Sequence, residues 1–163
     1  MTVATHHIWE PQWECADRGT IRRQQLARLQ DTVAYAYAKV PFYRARLDAA
    51  GITPADIRTL DDVRRIPCTE KQDFRDTYPF GLFAVPPQEL VRIHSSSGTT
   101  GKPTVVGYTR NDLDTWVNLV ARMVTQAGVT SRDIAQISFG YGMFTGGFGL
   151  HYGLERAGAT VVP

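Results

Sequence analysis

The chain has 163 residues, 43% hydrophobic and 21% charged, an ordinary globular composition that is long enough for a packed core. Eighteen basic and sixteen acidic residues are spread along it without a basic block, which argues against nucleic acid as a partner. No apolar run nears the roughly twenty residues of a membrane span, and the first residues lack a secretory pattern, so the chain reads as cytoplasmic.

Residues 1–19 carry Trp9 and Trp13 without periodicity and read as an arm that packs through its aromatics. Cys15 and Cys68 stand in neither metal nor redox spacing, as expected of free thiols in a reducing compartment. From Thr20, apolar Leu26, Leu29, Val33 and Tyr37 recur at three and four, which predicts a helix ending before Pro41. A second helix is expected over Phe42–Ala50, stopped by Gly51. Asp61 and Asp62 precede a short helix; after Pro67, Thr69 with Gln72 suggests a capping box for Glu70–Tyr78. Pro79, Gly81, Pro86 and Pro87 mark a loop.

Two strand-like runs follow, Leu90–His94 and Thr104–Tyr108, and between them lies the most informative segment of the chain. Ser95, Ser96, Ser97, Gly98, Thr99, Thr100, Gly101, Lys102 and Pro103 combine five hydroxyls, two glycines and a lysine. A plain hairpin turn needs two to five residues and one glycine, whereas a loop that wraps an anion needs this composition. Glycine turns backbone N–H groups inward, hydroxyls donate further hydrogen bonds, and lysine brings a full charge. It is not a Walker loop, because Ser96 stands where the first glycine is required and Pro103 follows the lysine. Gly-x-Gly-x-x-Gly is also absent.

Beyond the loop, Thr109 and Asp112 form a capping box, and Leu113, Trp116, Val117, Val120, Val124 and Ala127 line a helix that ends at Gly128. Ile134–Phe139 alternates as a strand. The glycine-rich stretch Gly140–Gly149 leads into a helix through Arg156, and Ala159–Val162 begins another strand. This order implies an α/β fold: a helical region over 1–89, then from 90 to 163 a β-hairpin phosphate loop and parallel βαβ units. The last strand stops at Pro163, so the chain reads as the front piece of something larger.

The stretch 95–103 resembles the signature loop of the adenylate-forming enzymes, the acyl- and aryl-CoA ligases. Three further blocks, Tyr35–Tyr43, Ile66–Arg75 and Gly140–Gly153, are similar to those of the phenylacetate–CoA ligase branch of that family, and together they cover nearly the whole chain. The resemblance implies the beginning of a large adenylation domain, with the rest of that domain and a small mobile C-terminal domain not included. It implies a small aryl carboxylic acid, ATP and coenzyme A as partners, Mg2+ as a further cofactor, no membrane, and scope for a homodimer. Ser95, Ser96, Ser97, Gly98, Thr99, Thr100, Gly101 and Lys102 would then hold the β- and γ-phosphates, where preorganised donors stabilise leaving pyrophosphate.

By the same resemblance, Tyr141, Phe144, Gly146 and Gly147 belong to the acid pocket, in a segment where Phe148 adds an aromatic face and Gly142 and Gly149 further glycines. Read from the residues alone, these rings could instead pack on the neighbouring strand and helix while the glycines serve turns. His94, at the strand end before the loop, either reaches phosphate or, as is commoner for a strand-end histidine, makes a structural hydrogen bond, and His151 faces either the pocket or the core. His6 and His7 read as solvated rather than as metal ligands, with no third ligand nearby. Arg22, Arg23 and Arg28 read as a solvated helix face. The family's later Tyr-Gly-x-Thr-Glu block, its ribose-binding acid and its catalytic lysine are absent, so no catalytic residue is assigned here and the piece alone is expected to be inactive. The competing reading is a non-catalytic module that binds nucleotide or phosphate, or serves as an interaction surface.

Overall fold

The computed structural model describes residues 7–96, 101–143 and 145–163. Six positions weighed above, His6, Ser97, Gly98, Thr99, Thr100 and Phe144, lie outside the described residues. The helices are α1 (Pro11–Glu14), α2 (Arg18–Lys39), α3 (Pro41–Ala49), α4 (Lys71–Asp76), α5 (Arg110–Gln126) and α6 (Thr145–Ala157). The strands are β1 (Arg92–Ser95), β2 (Val105–Tyr108), β3 (Ile134–Gln136) and β4 (Thr160–Val162), and 3-10 turns cover Pro54–Asp56, Leu60–Arg65 and Pro87–Glu89. The chain divides into two compact units. Among the described residues, one holds 7–15, 90–96, 107–143 and 145–163; the other holds 16–89 and 101–106.

In the second unit, α2 begins two residues before Thr20 because Asp17 caps it, accepting the Thr20 N–H at 3.0 Å. α3 takes Pro41 as its first residue, where the missing N–H costs nothing. It ends as expected at Gly51, whose φ of 65° allows the Ile52 N–H to reach the Leu47 carbonyl at 2.9 Å. Val33, Leu47, Ile52 and Ile57 form the core here, with Leu29, Tyr37 and Ile66 packed around it. Ile57 is almost wholly enclosed, worth about 1.5–3 kcal/mol by area burial.

Two local expectations shift. Asp61 and Asp62 do not precede the short turn but lie in its first turn, because Thr59 is the cap and Asp62 folds back onto the Thr59 N–H at 2.8 Å. α4 is capped by Glu70 with Asp73, not by Thr69 with Gln72. Asp73 is the better partner since one oxygen accepts the Glu70 N–H at 2.7 Å while the other pairs with Arg46 at 2.6 Å. Cys15 and Cys68 are both free and exposed.

In the first unit, α5 packs along α6, and β3 runs parallel to β4 with Ile134 opposite Thr160 and Gln136 opposite Val162. The expected strand to Phe139 is shorter because the ladder follows β4, whose next residue, Pro163, has no N–H to donate. Val124, Ile137, Leu154 and Ala159 form the core of this unit. The arm is tied to α5 as expected of its aromatics: Trp9 Nε1 donates to Asn118 Oδ1 at 2.8 Å, and Glu10 pairs with Arg122.

The glycine stretch departs most from expectation. From Thr145 onward it is helix, so Gly146, Gly147, Gly149 and Gly153 all lie inside α6. A Cβ on Gly149 would stand 2.5 Å from the Trp116 ring, and one on Gly153 would stand 2.5 Å from the Val120 Cβ. These two glycines, one turn apart, let α6 approach α5 so closely that Trp116 and Val120 fill the space their side chains would take.

Candidate functional site

β1 presents Arg92 and His94 to one face, as strand alternation requires, and both pack into the first unit while Ile93 points outward. His94 is 3% exposed. Its ring meets Tyr108, Trp116 and Phe148 edge-on at 5.4, 5.8 and 6.0 Å between centroids, and Tyr108 stacks on Trp116. The Nδ1 atom lies 3.0 Å from the Met143 carbonyl oxygen. A carbonyl only accepts, so this contact assigns the proton to Nδ1. The Ser95 N–H reaches the same oxygen at 3.0 Å. One carbonyl of the glycine-rich segment thus receives two donors from the root of the hydroxyl loop. His94 Nε2 is buried without a hydrogen-bond partner among the described residues.

Of the expected phosphate-loop residues, Ser95 is the last residue of β1, and its hydroxyl donates to the Ser96 carbonyl at 3.2 Å. Its backbone N–H is committed to Met143, so Ser95 anchors the loop through that group. Gly101 has φ of 133°, a backbone state that side chains rarely adopt. Lys102 is exposed, with its ammonium 5.7 Å from the centre of the Tyr78 ring, a cation–π contact within the second unit.

The segment expected to border the acid begins with Tyr141, which is exposed and stands edge-on to Phe148 at 5.2 Å. Its hydroxyl lies 2.9 Å from His151 Nδ1, while His151 Nε2 is 3.2 Å from Glu155, one turn further along α6. If Nε2–H faces the carboxylate, Nδ1 accepts the phenol proton, so the three groups form a directed hydrogen-bond chain. Gly146 is open, with nothing within 4 Å of a built Cβ; Gly147 is buried, and there a Cβ would come 3.2 Å from the Gly140 carbonyl. Within this segment Phe148 packs, Gly149 and Gly153 serve the helix contact, and Tyr141 and Gly146 stay accessible.

Arg92 was not foreseen. Its guanidinium lies 5.0 Å from the ring centres of both Phe148 and Tyr152. The only trace of it in the sequence is the alternation Val91-Arg92-Ile93-His94, which places a polar pair on the face opposite two apolar residues.

No family model matches the chain. It is 56% identical over 150 residues to a phenylacetate–coenzyme A ligase of Escherichia coli (strain K12), a match that takes in 92% of this chain and 34% of the relative. The Pseudomonas putida protein of the same name is 53% identical over the same shares. Among solved structures, a 2-hydroxyisobutyryl-CoA ligase in complex with 2-HIB-AMP and CoA, in the thioesterification state, superposes with a TM-score of 0.91 at 31% identity. That likeness covers all of this chain and 35% of the ligase. The curated relatives that the chain matches are thus phenylacetate–coenzyme A ligases, and it spans about a third of their length.

Proposed function

We propose that the chain is the N-terminal part of an ATP-dependent aryl-acid CoA ligase, with phenylacetate the first candidate acid. The observation that carries this reading is the 52–56% identity to phenylacetate–coenzyme A ligases across 92% of the chain. An acid carboxylate attacks the α-phosphorus of ATP and pyrophosphate leaves; coenzyme A thiolate then attacks the acyl carbon and AMP leaves. Residues Ser95 to Lys102 receive the β- and γ-phosphates, with Lys102 supplying the charge-assisted contact. Tyr141, Phe144, Gly146 and Gly147 border the acid, Tyr141 being oriented by His151. The two donors on the Met143 carbonyl support this assignment, since they join the loop's root to the acid segment.

Mg2+ is the further cofactor that the resemblance implies for the complete ligase; among the described residues no three His, Cys, Asp or Glu side chains gather to hold a metal ion. The described helices include none long and apolar enough to cross a membrane; a cytoplasmic setting is part of the proposal. A homodimer is the further expectation of the resemblance.

The test is a panel of aryl acids assayed for acid-dependent pyrophosphate release with the complete reading frame. Release that is highest with phenylacetate supports the reading, and no release with any acid overturns it. The 163-residue chain alone, given phenylacetate, ATP and CoA, should make no acyl-CoA above a Lys102→Ala control.

A further inference from the structure

Three arginines converge on a cavity of about 260 Å³ in the first unit, and none of the residues assigned above to phosphate or acid lines it. One face of α5 contributes Arg110, Leu113, Asp114 and Val117 at steps of three and four; α6 contributes Tyr152 and Arg156 one turn apart; β1 contributes Arg92. Arg156 Nη2 pairs with Asp114 Oδ1 at 2.5 Å, so one positive charge is balanced and two are left over. Arg92 is fixed in orientation by the two rings beneath it, Phe148 and Tyr152, which lie nearly parallel to each other. Its Nη1 is buried and has no hydrogen-bond partner among the described residues. With two of its three guanidinium charges unbalanced, the cavity suits an oxyanion, which guanidinium groups bind through charge-assisted hydrogen bonds. Leu113 and Val117 make the remaining wall apolar.

We propose that this cavity binds a small organic oxyanion, a phosphate monoester or a carboxylate, whose charged end meets Arg92 and Arg110 and whose apolar body lies on Leu113 and Val117. Guanidinium forks match both oxyanions, and the cavity is larger than a bare phosphate needs. The Arg156–Asp114 pair closes one side and sets the charge.

The experiment titrates the isotope-labelled 163-residue chain with inorganic phosphate, phenyl phosphate and acetate, reading the Arg92 side-chain N–H, the Leu113 and Val117 methyls and the Tyr152 ring by NMR. Saturable shifts at all four residues are expected. Phenyl phosphate should bind about tenfold tighter than inorganic phosphate, because only it reaches the apolar wall. Acetate serves to tell a carboxylate preference from a phosphate one. Arg110→Gln, at the exposed first residue of α5, should weaken binding about tenfold, and Asp114→Asn should strengthen it by removing the competing carboxylate. Shifts that persist in Lys102→Ala belong to this cavity and stand even if the phosphate loop proves empty. The proposal is overturned if no saturable shift reaches these residues, if Arg110→Gln and Asp114→Asn leave affinity unchanged, or if Lys102→Ala abolishes the response.

Discussion

Substituting Gly153 by alanine tests the close approach of α6 to α5, on which the geometry of the whole first unit rests. The added Cβ would lie 2.3 Å from Val120 Cγ1 and 2.5 Å from Val120 Cβ. A rotamer change at Val120 can move the Cγ1 atom but not the Cβ, so the helices themselves must part. Ordinary carbon contacts need about 3.5–4.0 Å, which asks for roughly 1 Å of separation. Over-packing of this kind costs about 1–3 kcal/mol, and because the clash is with a backbone-anchored atom the upper end applies. Alanine returns about 1 kcal/mol of helix propensity, leaving a net loss of about 2 kcal/mol. At Gly146, with open space around its Cβ, the same change should instead stabilise by about 0.5 kcal/mol. Trp9, Trp13 and Trp116 all lie in the first unit, so urea unfolding followed by tryptophan fluorescence reads this unit directly. Val120→Ala combined with Gly153→Ala should cost less than the sum of the two single changes. If Gly153→Ala unfolds at the same or higher urea than wild type, the reasoning is refuted.

Thr109→Ala removes the α5 cap, in which the Thr109 hydroxyl accepts the Asp112 N–H at 3.2 Å; a loss of about 1 kcal/mol is expected in the same unfolding assay. His94→Phe keeps the aromatic packing but gives up the bond to Met143, so stability should fall by about 1 kcal/mol, and the amide shift of Ser95 should move as its shared acceptor is released. Acid should weaken the fold through its capping aspartates. Backbone and hydroxyl donors of Thr59, with Arg58, hold the Asp62 carboxyl down at about 2, and Thr20, Thr53 and Thr130 lower Asp17, Asp56 and Asp133 in the same way. Each is depressed on folding, so its contribution is complete above about pH 4, the unfolded value, and is lost as pH falls through the folded value. Melting temperatures by circular dichroism should decline between about pH 4 and pH 2; a flat profile there would contradict this assignment.

Whatever depends on near neighbours in the chain was legible in the residues themselves. Periodicity and punctuation located α2, α3 and α5 to within two residues, because a helix is built from local hydrogen bonds and stops where glycine or proline requires it. The hydroxyl loop's composition was equally plain, and so was the family, which rests on ordered blocks of identity. The glycines of 140–153 were not decidable in that way. Gly146, Gly149 and Gly153 look alike along the chain, yet one faces open space while the other two accept Trp116 and Val120 from α5, residues more than thirty positions away. Arg92, too, gained its surroundings only when β1, α5 and α6 came together. Local sequence sets backbone preference, but the neighbours of a side chain, and hence its chemistry, are fixed by which distant elements pack against it.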